Sequence, residues 1–391
     1  MSPVRPHIVS VMTTSSHGGA EYANVDLLDA LAGRGWHATL LTDMPELAAG
    51  TRVRVREIDL GPKLGRRTAA RVAAGFLPWT VRLRRELAAE AALGPIDVTL
   101  LHFKKEQLMT PLLSRRIAGR VVWAEWGPLP RPMREGAGRW AYLAAAAGAD
   151  HIVAVSDGTE ASLVQAGVDP RKVSVLPPIV SADVHRDVAA RTATRAAWGA
   201  SEDTYVVGCV SRLARKKRVD VVIDAVARMP GDVMLVIAGT GDELERLEHR
   251  AAPLGDRVKF LPSVRGHVNE VLSAFDVQVF APQEEEGLPR SLMLGMLMGL
   301  PVIATAPAGA ASLLGDDAIA RPANNPAAVA ALLEARRADP AGSLREGDAL
   351  RAIAAQRFEP AHLAVEAEQI LLGRARAAAP PAPALAATPR A

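Results

Sequence analysis

The stretch "APQEEEGLPRSLMLGMLMGLPVIAT", residues 281–305, contains three consecutive carboxylates, a turn and a long apolar segment. The segment "SLMLGMLMG" is apolar on every side, which predicts a helix that is buried all round. Pro289 suits the first turn of that helix, because the N–H group that proline lacks would be unsatisfied there. The preceding "DVQVFAP" (276–282) is typical of a buried strand. The stretch therefore predicts a strand, loop, helix and strand in succession, as in an α/β fold.

The composition bounds the class of protein. A chain of 391 residues suggests two domains, and a hydrophobic content of 49% with 23% charged residues is typical of a soluble globular protein. No apolar run reaches the roughly 20 residues that a membrane-spanning helix needs, and the apolar part of the N-terminus is too short for a secretory signal. The single cysteine, Cys209, excludes an internal disulfide. We therefore expect a cytoplasmic protein, and a net charge of +3 does not demand nucleic acid as a partner.

Short apolar runs alternate with helical patterns in two parts of the chain. Strands that alternate with helices predict parallel sheets covered by helices on both faces. The predicted strands of the first part are "HIVSVM" (7–12), "HATLLT" (37–42), "DVTLLHF" (97–103), "RVVWAEW" (120–126) and "HIVAVS" (151–156). Those of the second part are "YVVGCVS" (205–211), "VMLVIAG" (233–239), "RVKFLP" (257–262), "DVQVFAP" (276–282) and "PVIAT" (301–305).

The domain boundary is predicted between these two parts, where "SADVHRDVAARTATRAAWG" (181–199) looks like a polar, Arg-rich connection. We predict two Rossmann-like, doubly wound domains, residues 1–185 and 186–358, that face a central cleft. Ligands of such sheets bind outside the carboxyl ends of the strands. A helix at 359–374 is predicted to cross back to the first domain, and the Ala/Pro tail, 375–391, is predicted to be disordered.

Five cations lie in "SRLARKKRVD" (211–220), where a predicted strand ends and a helix begins. Arg212 and Lys217 lie on either side of the turn. A helix N-terminus together with basic side chains favours a bound phosphate. A basic loop without a ligand is the alternative on charge alone, and the position in an α/β unit favours the phosphate.

The loop "QEEEG" (283–287) is the exit loop of the predicted strand "DVQVFAP" (276–282) and is expected to point its carboxylates at the crevice. Its carboxylates lie beside the unsatisfied N–H groups of the following helix. A carboxylate at this position can accept hydrogen bonds from sugar hydroxyls, and Glu286 is the one nearest to the helix start.

A glycine turn, "SSHGGAEYANVDLLDAL" (15–31), begins the first predicted helix. Gly18 and Gly19 let the backbone approach a ligand closely, although many α/β turns carry two glycines for packing alone. The segment "GTGDEL" (239–244) lacks the third glycine of a dinucleotide fingerprint. A nicotinamide cofactor is therefore poorly supported.

His102 ends the strand "DVTLLHF" and is followed by "KKE" (104–106). A histidine at the carboxyl end of a strand can donate a hydrogen bond to a substrate hydroxyl or take its proton. A structural histidine with satisfied hydrogen bonds is the alternative. Glu125 and Trp126 end the next strand and could shape an acceptor pocket.

Positive charge is concentrated between residues 51 and 86, which hold ten Arg or Lys residues against Glu57, Asp59 and Glu86. Within this region, "AAGFLPWTVRLRREL" interleaves apolar side chains with arginines. It predicts either a patch that rests on an anionic membrane or receives an acidic acceptor, or a solvated face with ordinary core anchors.

The chain resembles the retaining glycosyltransferases of family four, which have the GT-B fold. "EGLPRSLMLGMLMGLPVIAT" is similar to the nucleotide-binding signature of that family, and "SRLARKKRVD" to its G-R-L-x-x-x-K-G/R segment. "GGAEYANVDLLDALAGRGWHATLLT" is similar to its first glycine turn and helix, and "DVTLLHF" to its D-x-x-H-x-H strand end. The resemblance spans residues 7 to 372 in the family's order.

By position, the resemblance implies that Arg212 and Lys217 hold the donor's diphosphate without a metal or cofactor. It implies that Glu286 binds the hydroxyls of the donor sugar and that His102 lies beside the anomeric centre. These four are the implied catalytic residues. The implied donor-binding residues are Gly18, Gly19, Arg212, Lys217, Glu286, Gly287, Leu288, Ser291 and Leu294. The predicted acceptor residues are His17, Lys104, Glu106, Glu125 and Trp126.

Three positions depart from the family pattern. Leu294 stands where the family has a second glutamate that binds the ribose hydroxyls, and losing such charged hydrogen bonds costs about 1.5–3 kcal/mol. Ser291, one turn earlier, is a partial substitute at best. The usual P-N-G is "PPI" (177–179), and the usual T-x-H-G is "AEWG", with Trp126 at the histidine position.

The sequence therefore predicts a retaining, metal-independent hexosyltransferase that moves a sugar from a nucleotide-diphosphate donor to a hydroxyl acceptor, either a small molecule or a glycan. A bacterial pathway of specialised-metabolite or cell-surface glycan synthesis suits the Ala-, Arg- and Pro-rich composition. The first alternative is a catalytically silent accessory protein that binds sugar or nucleotide. The second is a transferase at the inner membrane face that uses a lipid acceptor.

Overall fold

The computed structural model describes residues 5–14, 18–65, 67–180, 183–264, 266–283, 286–305, 314 and 324–374. Three predicted features lie outside the described residues: the acceptor residue His17, the carboxylates Glu284 and Glu285, and the tail 375–391. The described residues form two compact units, one from 5–180 with 358–374 and the other from 183–357.

The first unit is built on a parallel sheet. Its described residues form seven strands in the order β3-β2-β1-β4-β5-β6-β7. Strands β1, β4 and β5 are almost completely buried, which is expected for a parallel sheet with helices on both faces. The strands are β1 His7–Met12, β2 His37–Thr42, β3 Arg54–Glu57, β4 Val98–Leu101, β5 Arg120–Glu125, β6 His151–Ala154 and β7 Val173–Val175.

Helices cover this first sheet and bury their apolar sides against it. Helix α2 contributes Val72, Leu83 and Leu87 to the core, and its arginines stay exposed. The helices that precede the second unit are α1 Gly19–Gly33, α2 Ala69–Ala91, α3 Lys104–Leu108, α4 Arg115–Ala118, α5 Arg131–Arg134, α6 Gly136–Ala147 and α7 Asp157–Ala166.

The second unit is also built on a parallel sheet, and its described residues form five strands in the order β10-β9-β8-β11-β12. The strands are β8 Tyr205–Val210, β9 Val233–Ala238, β10 Val258–Leu261, β11 Val277–Phe280 and β12 Val302–Ala304. Cys209, on β8, is buried, and burial raises the pKa of its thiol to about 12. The helices are α8 Val188–Trp198, α9 Val219–Val226, α10 Leu244–Ala251, α11 Val268–Ser273, α12 Arg290–Met298, α13 Pro326–Ala338 and α14 Pro340–Arg357.

The expectation of a polar connection at 181–199 is wrong, because Val188–Trp198 forms helix α8. The side chain of Asp187 caps the helix by accepting a hydrogen bond from the backbone N–H of Ala190, 2.9 Å away. Two arginines of the helix, Arg191 and Arg195, donate to the carboxylate of Asp276 at 2.5 and 3.1 Å. The Arg-rich composition therefore reflects a helix attached to the second sheet by ion pairs.

The helix predicted near Arg290 is α12, and its side chains are buried as the apolar pattern predicts: Leu292, Met293 and Met296 are fully enclosed. Pro289 is the residue immediately before the helix. Six of the nine helix residues are buried, and the helix begins at Arg290, four residues after Glu286.

The last described helix, α15 Pro360–Leu372, belongs to the first unit. Glu368 accepts hydrogen bonds from the guanidinium of Arg34 at 2.6 Å and from the indole N–H of Trp36 at 2.9 Å. The guanidinium of Arg120 donates to the carbonyl of Leu371 at 3.0 Å. Within the described part of the chain, none of the helices combines the length and the apolar character required to cross a bilayer.

Candidate functional site

Two loops at the carboxyl edge of the second sheet carry the predicted donor residues. One follows β8 and contains a short 3₁₀ turn, Arg215–Lys217; the other follows β11 and leads into α12. Strands β8 and β11 are neighbours, so the two loops leave the sheet side by side. The backbone N–H of Gln283 donates to the carbonyl of Lys216 at 2.7 Å and joins the loops directly.

The structure brings Lys217 and Glu286 together. The ammonium Nζ of Lys217 lies 2.5 Å from Oε2 of Glu286, and each side chain is only 16% exposed. Burial lowers the pKa of Lys217, Glu286 opposes that effect, and the charges of Lys216 and Arg212 add to it. A partly buried cation with a neighbouring cation is a strong binding group for a polyanion.

Arg212 is exposed on the loop that follows β8. Its carbonyl accepts hydrogen bonds from the backbone N–H of Ala214 at 2.9 Å and from the hydroxyl of Ser211 at 3.2 Å. The influence of its charge on the pKa of Lys217 indicates that the two cations are close. Arg212, Lys217 and Glu286 thus share one edge of one unit.

The remaining predicted donor residues of the second unit surround the start of α12. Gly287 is buried, Leu288 and Ser291 are partly buried, and the carbonyl of Ser291 accepts a hydrogen bond from Gln278 at 2.8 Å. Leu294 is 4% exposed, so its apolar side chain lies among the buried residues of the helix.

The predicted residues of the first unit lie at the carboxyl edge of the other sheet. Gly18 precedes α1 in an extended conformation, and its carbonyl accepts a hydrogen bond from the N–H of Tyr22 at 3.1 Å. Gly19 is the first residue of the helix. Both glycines thus lie where α1 presents unsatisfied N–H groups.

His102 is buried, and both of its ring nitrogens have partners. The indole N–H of Trp126 donates to Nδ1 at 3.0 Å, and Nε2 lies 2.8 Å from the hydroxyl of Ser10. Because that hydroxyl donates to Asn24 at 3.0 Å, the proton of the histidine is assigned to Nε2. Burial lowers the pKa of His102 to about 3, which keeps the ring neutral. A direct role in transfer would require His102 to exchange one of these bonds for a bond to substrate.

Two of the predicted acceptor residues, Lys104 and Glu125, bind each other. The ammonium of Lys104 contacts both carboxylate oxygens of Glu125, with 2.5 Å to Oε1, and the hydroxyl of Tyr142 donates to Oε1 at 2.7 Å. Lys104 also donates to the side chain of Gln107 at 3.2 Å. The polar side-chain atoms of this Lys104–Glu125–Tyr142 group therefore form hydrogen bonds with one another.

Glu106, another predicted acceptor residue, belongs to a polar cluster that the sequence did not predict as a unit. The hydroxyl of Thr13 donates to Oε1 of Glu106, and Lys105 donates to that hydroxyl at 3.1 Å. Glu21 accepts from Lys63 at 2.9 Å. Oε2 of Glu21 and Oε2 of Glu106 are buried without a partner among the described residues. Such oxygens can accept hydrogen bonds from hydroxyl or amino groups.

Solved structures share this fold, and several of them are described as glycosyltransferases. Anabaena HepE, solved with UDP and glucose, superimposes with a TM-score of 0.77 at 20% identity, covering 93% of this chain and 98% of that one. Sucrose-phosphate synthase from Thermosynechococcus elongatus gives 0.74 at 19% identity, covering 94% and 98%. The lipopolysaccharide glycosyltransferase WaaG gives 0.70 at 18% identity, covering 94% and 100%. The architecture is therefore the GT-B fold, as the sequence predicts.

Sequence comparison gives the family. Residues 17–184 match the family described as Glycosyltransferase Family 4, and residues 204–337 match Glycosyl transferases group 1. A D-inositol 3-phosphate glycosyltransferase of Geodermatophilus obscurus is 30% identical over 378 residues, covering 85% of this chain and 81% of that protein. The protein of the same description from Mycobacteroides abscessus is 31% identical over 165 residues, covering 40% and 37%. The chain belongs to glycosyltransferase family 4, which confirms the predicted family.

Proposed function

We propose that this glycosyltransferase moves a hexose from a nucleotide-diphosphate donor to a hydroxyl group, with retention of the anomeric configuration. The observation that carries the proposal is the 2.5 Å pair of Lys217 and Glu286, with Arg212 on the same loop as Lys217. The donor's diphosphate requires the cations, and the hexose requires the carboxylate. HepE, which has the same fold, was solved with UDP-glucose, and this supports a nucleotide sugar as donor.

In the proposed reaction, Lys217 and Arg212 bind the diphosphate and stabilise its developing charge as the bond from the anomeric carbon to the phosphate oxygen breaks. The acceptor hydroxyl attacks from the same face and forms the new glycosidic bond. Its proton passes to the departing phosphate oxygen. Glu286 accepts hydrogen bonds from the hexose hydroxyls, and the amides of Gly287 and Leu288 lie beside it. The proposal requires no metal or cofactor, since the cations neutralise the diphosphate.

We propose a polyhydroxylated acceptor, either a small molecule or a glycan, that binds at the carboxyl edge of the first sheet. The relatives found by sequence comparison are named D-inositol 3-phosphate glycosyltransferases, and inositol is a polyol. The predicted acceptor residues Lys104, Glu106, Glu125 and Trp126 lie at or directly after the carboxyl ends of the neighbouring strands β4 and β5. The relatives are bacterial, and we propose that the reaction serves specialised-metabolite or cell-surface glycan synthesis.

A donor screen tests the proposal. UDP, GDP, ADP and dTDP sugars are compared for hydrolysis and for thermal stabilisation of the protein. Glu286→Ala is expected to reduce turnover at least about 100-fold, because a charged hydrogen bond contributes about 1.5–3 kcal/mol and a hexose offers more than one hydroxyl. Gln283→Ala, in the same loop with an exposed side chain, is the matched control and keeps its activity.

The same screen distinguishes an enzyme from the alternative, a catalytically silent accessory protein. If a nucleotide binds but no donor is consumed in the presence of polyol acceptors, the enzyme hypothesis fails. The protein would then be a sugar- or nucleotide-binding accessory subunit. Leu294 is the residue that favours this second candidate, because its buried side chain cannot bind ribose hydroxyls.

We further propose that α2 lets the protein rest on an anionic membrane. Leu77 is 65% exposed and Val81 38% exposed, and the arginines Arg82, Arg84 and Arg85 surround them on the exposed side of the helix. Exposed apolar side chains among arginines are typical of surfaces that bind anionic lipids. A lipid acceptor would then be within reach of the protein.

Liposome co-sedimentation tests this surface. The protein is expected to sediment with vesicles of anionic lipid and to remain in solution with neutral vesicles. Arg82→Glu/Arg84→Glu should abolish the binding, whereas Arg228→Glu/Arg345→Glu, the same charge change on exposed arginines of the second unit, should not. Equal sedimentation of the two double variants would contradict a role for α2.

A further inference from the structure

The segment Gly239–Gly241, "GTG", follows β9 and packs against the loop that carries Arg212. The backbone N–H of Leu213 donates to the carbonyl of Thr240 at 2.8 Å, and the N–H of Glu243 donates to the carbonyl of Leu213 at 3.0 Å. Strands β8 and β9 pair along their whole length, so both loops leave the sheet at the same edge. The two loops are therefore held together by backbone hydrogen bonds.

Both glycines of this segment are required by geometry. Their φ angles are +152° and +156°, a region that residues with a side chain rarely adopt. A Cβ on Gly239 would lie 1.9 Å from the carbonyl oxygen of Ser211, and a Cβ on Gly241 would lie 2.3 Å from that of Leu213. These neighbours are backbone atoms, so a side chain at either position must displace the loop itself.

The loop continues from this contact to the second cation. The N–H of Ala214 donates to the carbonyl of Arg212 at 2.9 Å, and the N–H of Lys217 donates to the carbonyl of Ala214 at 2.8 Å. The side chain of Leu213 is fully buried in the core of the second unit and anchors the loop to that core. A displacement at Leu213 is therefore transmitted to both Arg212 and Lys217.

We propose that Gly239 and Gly241 are positioning residues for diphosphate binding: they fix the backbone of Ser211–Leu213 and thereby hold Arg212, and to a smaller extent Lys217 further along the loop, in register for the two phosphates. The inference rests on the proposed function, because it takes Arg212 and Lys217 as the diphosphate ligands. It gives a role to a G-x-G segment that lacks the dinucleotide fingerprint. The ligand is a nucleoside diphosphate. The glycines contribute to its affinity indirectly, by positioning the cations Arg212 and Lys217.

The test measures the dissociation constant of whichever of UDP, GDP, ADP or dTDP stabilises the wild-type chain most, and of the corresponding nucleoside. Gly241→Ala is expected to weaken the diphosphate at least tenfold and the nucleoside less than twofold. Gly231→Ala is the matched control, since a Cβ there meets no atom within 4 Å. It should leave both constants within twofold of wild type.

A double-mutant cycle with Arg212→Ala separates positioning from general loss of structure. In the Arg212→Ala background, the further loss from Gly241→Ala should shrink to less than threefold. If Gly241→Ala does not fold, Ser211→Gly replaces it: the added backbone freedom and the lost hydroxyl bond to Arg212 should weaken the diphosphate a few-fold, again only when Arg212 is present.

Each outcome decides one of the two proposals. Wild-type diphosphate affinity in Gly241→Ala, or an equal loss with and without Arg212, overturns the positioning role. Equal weakening of the nucleoside and the diphosphate also overturns it. If no nucleoside diphosphate binds, or if Arg212→Ala alone leaves the affinity unchanged, the proposed function fails instead.

Discussion

Sugar transfer by the Lys217→Ala variant is expected to fall about 10²- to 10³-fold, the usual effect of removing one donor that stabilises the charge developing in a transition state. Lys217 is partly buried and lies 2.5 Å from Glu286, and a water molecule in the place of its ammonium would carry no positive charge. The variant also leaves Glu286 without its cation. Lys216→Ala, which removes an exposed neighbouring charge, should lose only a few-fold. Steady-state kinetics with the donor found in the screen measures both.

The pH dependence of kcat/KM for the donor tests whether the positive charge of Lys217 is required for activity. Burial lowers the pKa of Lys217 below the ordinary 10.5, and only the ammonium form binds the diphosphate. As the pH rises through this lowered pKa, kcat/KM for the donor should therefore decline in the wild type. Lys217→Arg stays charged and should lose this alkaline decline, whatever its absolute rate. An unchanged alkaline limb in Lys217→Arg would assign the ionisation to another group.

Glu125→Leu is expected to destabilise the chain by about 3–5 kcal/mol, because it leaves the ammonium of Lys104 buried without a counter-charge. The two side chains are 18% and 4% exposed, and the hydroxyl of Tyr142 loses its acceptor as well. Denaturant unfolding followed by tryptophan fluorescence is suitable, since five of the six tryptophans precede residue 150, in the first unit.

The matched variant removes the whole group. Lys104→Met/Glu125→Leu/Tyr142→Phe leaves no buried charge or hydroxyl and should cost less than about 2 kcal/mol, because apolar replacements of a buried pair are often nearly neutral. A triple variant that is less stable than Glu125→Leu would show that the group is not energetically coupled in this way.

The central strands were predictable from the sequence because they are buried on both faces and therefore appear as continuous apolar runs. Strand β1 matches its predicted bounds, and β5 and β9 end one residue early. Strands β3 and β7 were missed. They lie at the two edges of the first sheet, where β3, "RVRE", has three charged residues of four and β7 has only three residues. Edge strands carry little apolar signal.

The two parts of the site differ in how far the sequence could predict them. Lys217 and Glu286 follow neighbouring strands of one parallel sheet, and strand order alone brings such residues to one edge. The bonds of His102 to Ser10 and Trp126 bring together a residue inside β1 and the residues that follow β4 and β5. Tyr142, which binds Glu125, projects from a helix whose run of small residues gave no indication of that contact.

Cys209 has a practical consequence. It is the only cysteine in the sequence, it is buried, and its thiol stays protonated at neutral pH because its pKa is raised to about 12. Thiolates, rather than thiols, add to maleimide reagents, so the native chain should resist labelling while folded. A cysteine introduced at Gln283, whose side chain is exposed and which precedes Glu286 by three residues in the sequence, would then take up a single fluorophore and report ligand binding from the donor loop without removal of the native thiol.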